Sequence, residues 1–124
     1  MPADLEELIS SVIGAAIEVH RHLGPGFLES IYEQALCFEL IERDISFERQ
    51  KEIAVPYKGN RLTGQRLDLL VGARLVVELK AVEQILPIHE AQTLSYLKAL
   101  GLRAGLLLNF NVKQLKYGIK RLVK

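Results

Sequence analysis

Asp68, Glu78 and Lys80 have the types and the spacing for chemistry. Asp68 stands in an aliphatic run, Leu67-Asp68-Leu69-Leu70-Val71, and Glu78 and Lys80 stand two apart in another, Leu75-Val76-Val77-Glu78-Leu79-Lys80. Gly72-Ala73-Arg74 between the runs reads as a tight loop, so two short strands fold back on each other. Side chains alternate faces along a strand, which puts Glu78 and Lys80 on one face and Val77 and Leu79 on the other. A three-residue loop pairs Val71 with Leu75 and sets Asp68 opposite Glu78, with the two carboxylates roughly 5 Å apart. Like charges directly opposite destabilise a sheet. A divalent cation, which takes hard oxygen ligands, offsets that cost. The lysine beside the pair adds a second positive charge, able to stabilise an anionic transition state.

The rest of the chain must position these groups. In residues 4–23, Leu5, Leu8, Ile9, Val12, Ile13, Ala16, Ile17 and His20 recur at helical spacing, with Asp4 as cap and Glu6 and Glu7 in the first turn. His20 and the nearby His22 are expected to interact with the dipole at the helix end rather than to ligate. Gly24-Pro25-Gly26 makes a tight corner. A second helix is expected from Leu28 to Arg43, burying Leu28, Ile31, Tyr32, Ala35, Leu36, Leu40 and Ile41, with Cys37 as a small core residue. Glu29 opens this helix. It is either a first-turn carboxylate stabilised by the dipole or a group that the corner fixes within reach of a site, and its chemistry alone does not separate the two.

Ser46 to Tyr57 reads as a strand, placed at a sheet edge by Pro56. Lys58-Gly59-Asn60 is a hairpin turn leading to strands Arg61–Val71 and Leu75–Ala81. Pro87 begins a helix that runs to about Leu100 and ends at Gly101. His89, Gln92 and Tyr96 share one face of it, while Leu94, Leu97 and Leu100 crowd another side. That polar stripe is either simply solvated or lines a site. Arg103 to Phe110 carries a continuous apolar run, as a strand buried on both faces would, so the preceding helix is a right-handed crossover. Val112 to Gly118 reads as a short helix and Ile119 to Val123 as a last edge strand. The fold expected is α/β, in the order ααβββαβ, with a mixed central sheet.

At 124 residues the chain suits one domain with a real core. No apolar run approaches the roughly 20 residues of a membrane span. The acidic start, Asp4, Glu6 and Glu7, is unlike a secretory signal. The lone Cys37 excludes an internal disulfide and a cysteine-rich zinc site. A cytoplasmic location is the expectation. Net charge is only +1, yet it is unevenly spread: residues 1–60 carry 5 basic and 11 acidic groups, residues 61–124 carry 11 basic and 4 acidic. Lys113, Lys116, Lys120, Arg121 and Lys124 close the chain without an acid. They form either an ordinary solvated face or a basic surface for phosphates.

Asp68, a gap of nine residues and Glu78-x-Lys80 resemble the PD-(D/E)xK nuclease superfamily. More narrowly, Gly26-Phe-Leu-Glu29-Ser-Ile-Tyr32 resembles the GxxExxY signature that names a small group within it. The likeness extends to Ile13–His20, Leu23-Gly-Pro-Gly26, Val77-Glu-Leu-Lys80, Ile88-His-Glu-Ala-Gln92 and Leu108-Asn-Phe-Asn111. It departs at Leu67, where the superfamily's name has proline.

The resemblance implies a nuclease-like core and a role for each matching residue. Asp68 and Glu78 are the implied metal ligands, completed by Glu29, with the Val77 or Leu79 carbonyl as a further oxygen. Lys80 orients or deprotonates water and stabilises charge on phosphorus. Gln92 and Tyr96 resemble the glutamine-tyrosine helix motif that lines the site of recombination exonucleases. The reaction implied is hydrolysis of a DNA or RNA phosphodiester with Mg²⁺, or Mn²⁺, rather than Zn²⁺. Small nucleases often work as homodimers, and the apolar second helix leaves room for one. Two other readings stand beside this: a non-catalytic nucleic-acid-binding or regulatory module, and a buried ion-pair network with no ligand, which is costly to desolvate.

Overall fold

A computed structural model describes residues 3–124. The elements run α1 (Ala3–Leu23), α2 (Glu29–Glu42), β1 (Phe47–Tyr57), β2 (Asn60–Val71), β3 (Leu75–Lys80), α3 (Pro87–Leu100), β4 (Ala104–Asn109), a 3₁₀ turn (Leu115–Gly118) and β5 (Ile119–Val123). The five strands lie in the order β1-β2-β3-β4-β5. β1, β2 and β3 form an antiparallel meander, β4 is parallel to β3, and β5 is antiparallel to β4. This is the α/β architecture expected, with α3 as the crossover. β1, which holds Pro56, is an edge strand, and β4 is buried along its length.

Helices cover both faces of the sheet. α1 and α2 pack Leu5, Ile9, Val12, Ala16, Tyr32, Leu36 and Leu40 against Leu69, Val71, Val77, Leu79, Leu106 and Leu108. On the other face Tyr96 and Leu97 of α3 pack with Ile53, Leu67, Leu70 and Val76. Two turn positions need a left-handed backbone: Gly72 at φ 59° closes the β2–β3 hairpin, and Gly101 at φ 68° caps α3.

Packing overrides the expected faces in each helix. On α1, Ala15 and Val19 are buried and Ile17 is exposed. On α2, Tyr32, Glu33, Leu36, Cys37 and Leu40 are buried, whereas Leu28, Ile31 and Ile41 are exposed together with Phe38. α2 carries apolar groups on both sides, so periodicity alone did not select the inward one. On α3, Thr93, Tyr96 and Leu97 face the sheet and Leu94 is exposed. The Tyr96 ring is apolar enough to join the core while its hydroxyl finds partners.

His20 lies in the last turn of α1, as expected, but does more than meet the helix dipole. It is buried, and its Nε2 lies 3.1 Å from the Phe110 carbonyl and 2.8 Å from that of Val112. Both partners are acceptors, so Nε2 carries the proton. The ring ties the end of α1 to the loop after β4. Gly118 closes that loop against the Asn109 carbonyl, where a Cβ would collide with backbone.

Candidate active site

β2 and β3 pair normally from Val71 opposite Leu75 to Leu69 opposite Val77. Beyond that point carboxylates take over the bonding. The Asp68 N–H donates to Glu78 Oε2 at 2.7 Å, and the Leu79 N–H donates to Asp68 Oδ2 at 2.9 Å. The alternation of β2 breaks here: Leu67 and Leu70 both lie in the α3 core, and Leu69 lies in the other. The two acids therefore do not simply face each other across a ladder. Each reaches over to a backbone donor of the opposite strand, which offsets part of the like-charge cost.

Glu78 is buried, and desolvation together with the neighbouring Asp68 lifts its carboxyl to about 8. Burial raises Asp68 as well, against the Leu79 N–H that favours the anion. A carboxylate pair squeezed in this way would be favoured in its ionised form by a cation. Lys80, two residues along from Glu78, makes no ion pair among the described residues. β4 pins it from the other side: Lys80 pairs with Asn109, and its carbonyl accepts the Phe110 N–H at 2.9 Å. Buried Asn109 then holds the departing chain, accepting from the Val82 N–H at 3.1 Å and donating to its carbonyl at 2.9 Å.

Glu29 is exposed at the start of α2 and belongs to the same cluster. Desolvation raises its carboxyl, and Lys80 is the largest influence lowering it. The corner before it is built by Tyr32. The Tyr32 hydroxyl donates to the Gly24 carbonyl at 2.6 Å and accepts the Phe27 N–H at 3.1 Å. Its ring stacks on Phe110 at 4.6 Å. In Gly26-x-x-Glu29-x-x-Tyr32, then, the tyrosine clamps the loop that delivers the acid.

One expectation is not met as it stands. Among the described residues no three acid, histidine or cysteine side chains come close enough to hold one metal ion together. Lys80 and the Ala81 backbone favour the Glu29 anion, and Asp68 opposes it. The donor set still suits a hard cation. Mg²⁺ is commonly held by one or two carboxylates and keeps several waters. Asp68 and Glu78 each retain one oxygen that is free of a backbone N–H.

Tyr96 is buried, and that burial raises its hydroxyl, with Glu78 and Asp68 adding to the effect. That hydroxyl accepts from the Gln65 amide at 2.7 Å and donates to the Arg66 carbonyl at 3.2 Å, so it fixes β2 just before Asp68. Gln92 is half-buried in a shallow cleft with Ile53, Gln65 and Tyr96. His89 does not join the acids: its Nδ1 accepts the Leu86 N–H at 3.0 Å and caps α3.

Two further residues, Glu33 and Gln50, have a place here that the sequence did not assign them. Buried Glu33, one turn after Glu29, accepts from Arg49 Nε at 2.6 Å and from the Gln50 amide at 2.9 Å. Gln50 sits at φ 51°, and its carbonyl accepts from Arg66 at 2.9 Å. A left-handed glutamine within a strand leaves no mark in a pattern of apolar residues.

Two carboxylates and a lysine thus stand where the meander opens, at the edge of an α/β core. A family model for the PD-(D/E)XK nuclease superfamily matches residues 6–122. The chain belongs to that superfamily. No curated protein and no solved structure matches it.

Proposed function

We propose that the protein is a metal-dependent nuclease of the GxxExxY group, a single nuclease-like domain over residues 1–124 that hydrolyses phosphodiesters of DNA or RNA in the cytoplasm. The observation that carries this reading is the crossed carboxylate pair with Lys80 beside it. Asp68 and Glu78 would hold Mg²⁺ or Mn²⁺, which supplies a Lewis acid and a nucleophilic water at neutral pH.

The chain's own groups do the rest. The Lys80 ammonium, unpaired among the described residues, stabilises the charge that develops on the phosphate and orients the attacking water. Glu29, with its carboxyl raised, is suited to accept the water's proton. Tyr96 positions Asp68 through the Arg66 carbonyl, and the Gln92 amide is a neutral donor for a phosphate oxygen. The apolar stripe of Leu28, Ile31, Phe38 and Ile41 supports a homodimer, as cutting both strands of a duplex would require; a monomer in sedimentation equilibrium at working concentration would remove that part of the reading.

The test is calorimetric titration of Mg²⁺ and Mn²⁺ with plasmid and single-strand cleavage alongside. Lys80→Ala should retain metal binding and lose cleavage, and Asp68→Ala should lose both. Unchanged cleavage in Lys80→Ala would sink the assignment. Metal binding without cleavage in the wild type would favour a non-catalytic module on the same fold.

A further inference from the structure

A second concave site lies away from the acids. It is a pocket of about 480 Å³ between the C-terminal end of α1 and the loop that follows β4. Ile17 and Leu115 supply apolar wall, and Arg21, Lys113 and Lys116 supply three cations; no carboxylate lines it. We propose that this pocket binds one nucleotide of a single-stranded nucleic acid and guides the strand to the carboxylate site. The inference rests on the nuclease reading for the site it feeds.

The lining fits a nucleotide. Three cations meet here with no carboxylate in the lining, and a phosphate would relieve their mutual repulsion. The apolar wall suits a base or sugar. Among the described residues Arg21 is paired only with Glu18, at 3.3 Å and with the arginine side chain 76% exposed, and such surface pairs contribute little. Lys113 and Lys116 make no ion pair among the described residues. The volume lies within the roughly 300–1,000 Å³ of small-ligand pockets.

The pocket also selects strandedness. A base in a duplex is stacked and paired and cannot enter a side cleft, whereas a single strand splays its bases. Tyr117 follows Lys116 and is 75% exposed; the Lys116 ammonium lies 5.1 Å from its ring centroid, which leaves the opposite ring face for a neighbouring base. The pocket is preformed: His20 bonds both Phe110 and Val112 carbonyls, Phe110 stacks on Tyr32, and Tyr32 holds Gly24 of the opposite wall. Both of its walls also connect to the chemistry along the chain. Gly24 precedes Glu29 by five residues, a span of at most roughly 17 Å. The loop on the other wall starts at Phe110, bonded to the Lys80 carbonyl.

The test is fluorescence anisotropy of the full chain in EDTA, where no cleavage interferes. Labelled single-stranded DNA and RNA 15-mers and the corresponding DNA duplex are compared. At least one single strand should bind ten times more tightly than the duplex. The double variant Lys113→Gln, Lys116→Gln should lose tenfold or more, and its slope of log K against log salt should flatten by about 1.4, as two lost phosphate contacts require. Equal or tighter duplex binding, or an unchanged double variant, would overturn the proposal.

Hydrolysis of a small phosphodiester, bis(p-nitrophenyl) phosphate with Mn²⁺, separates the two readings. It depends on Lys80 and not on the two lysines. Hydrolysis lost in Lys80→Ala with strand binding untouched by the double variant leaves the nuclease and removes the pocket. Lysine-dependent strand binding without hydrolysis leaves the pocket and removes the nuclease.

Discussion

The Gln50 side-chain amide stands 3.5 Å from Asp68 Oδ1 while donating to Glu33 Oε1 at 2.9 Å, from a backbone held at φ 51°. The first contact is long and the second is the true bond. Together they place a strained residue between a structural acid and a candidate metal ligand. Strain of this kind costs about 1–3 kcal/mol and persists only where neighbours impose it.

Gln50→Ala and Gln50→Gly therefore separate backbone from side chain. Both remove the amide and should weaken metal binding several-fold in calorimetry. Glycine accepts the left-handed backbone without penalty, so urea unfolding should find Gln50→Gly more stable than Gln50→Ala by about 1 kcal/mol. Equal stabilities would mean that the backbone at this position stores no strain.

Glu78 makes stability and metal binding depend on pH. Its folded carboxyl titrates at about 8, against an ordinary value of 4.5. Below the ordinary value both folded and unfolded chains hold the proton and no penalty applies. As pH rises from there towards 8 the unfolded chain ionises first, so the metal-free protein should lose stability, by of order a few kcal/mol. Asp68 and Glu29, also raised, act with the same sign. Divalent metal should release a proton within that window and reverse the loss. Calorimetry in buffers of different ionisation enthalpy at pH 6–7 measures it, and zero release would contradict the desolvated pair.

Tyr32→Phe removes one hydroxyl and two bonds, to Gly24 and from Phe27. The Phe110 stack survives. A loss of about 1–2 kcal/mol is expected in thermal unfolding. Cleavage should fall further than stability alone explains, because Glu29 is no longer delivered by a clamped corner. Full activity in a destabilised variant would show that the corner does not position the acid.

Gly118→Ala is expected to be the most damaging small change in the loop after β4. Its Cβ would meet the Asn109 carbonyl, which is backbone and cannot step aside. Asn109 in turn holds Val82, just past Lys80. A drop in melting temperature of several degrees should accompany reduced activity. An unchanged melting curve would show that the loop shifts freely.

Much of this was legible from residue order. Asp68, Glu78 and Lys80 announced themselves because charge inside an aliphatic strand is costly and seldom without purpose. The meander, the crossover helix and the buried strand followed from local rules: period-two runs, Pro87 at a helix start and Gly101 at its end. The likeness to PD-(D/E)xK nucleases rested on the same residues, and the family match agrees with it. What only the tertiary structure decided were matters of direction between distant segments. The apolar groups of α2 lie on two faces, and only the sheet chose Tyr32, Leu36 and Leu40 over Leu28, Ile31 and Ile41. His20, Glu33 and Gln50 acquired roles from partners 92, 16 and 18 residues away, which no local pattern encodes. The carboxylates crossed to opposite backbones rather than facing each other, because a buried anion takes the nearest unpaired N–H.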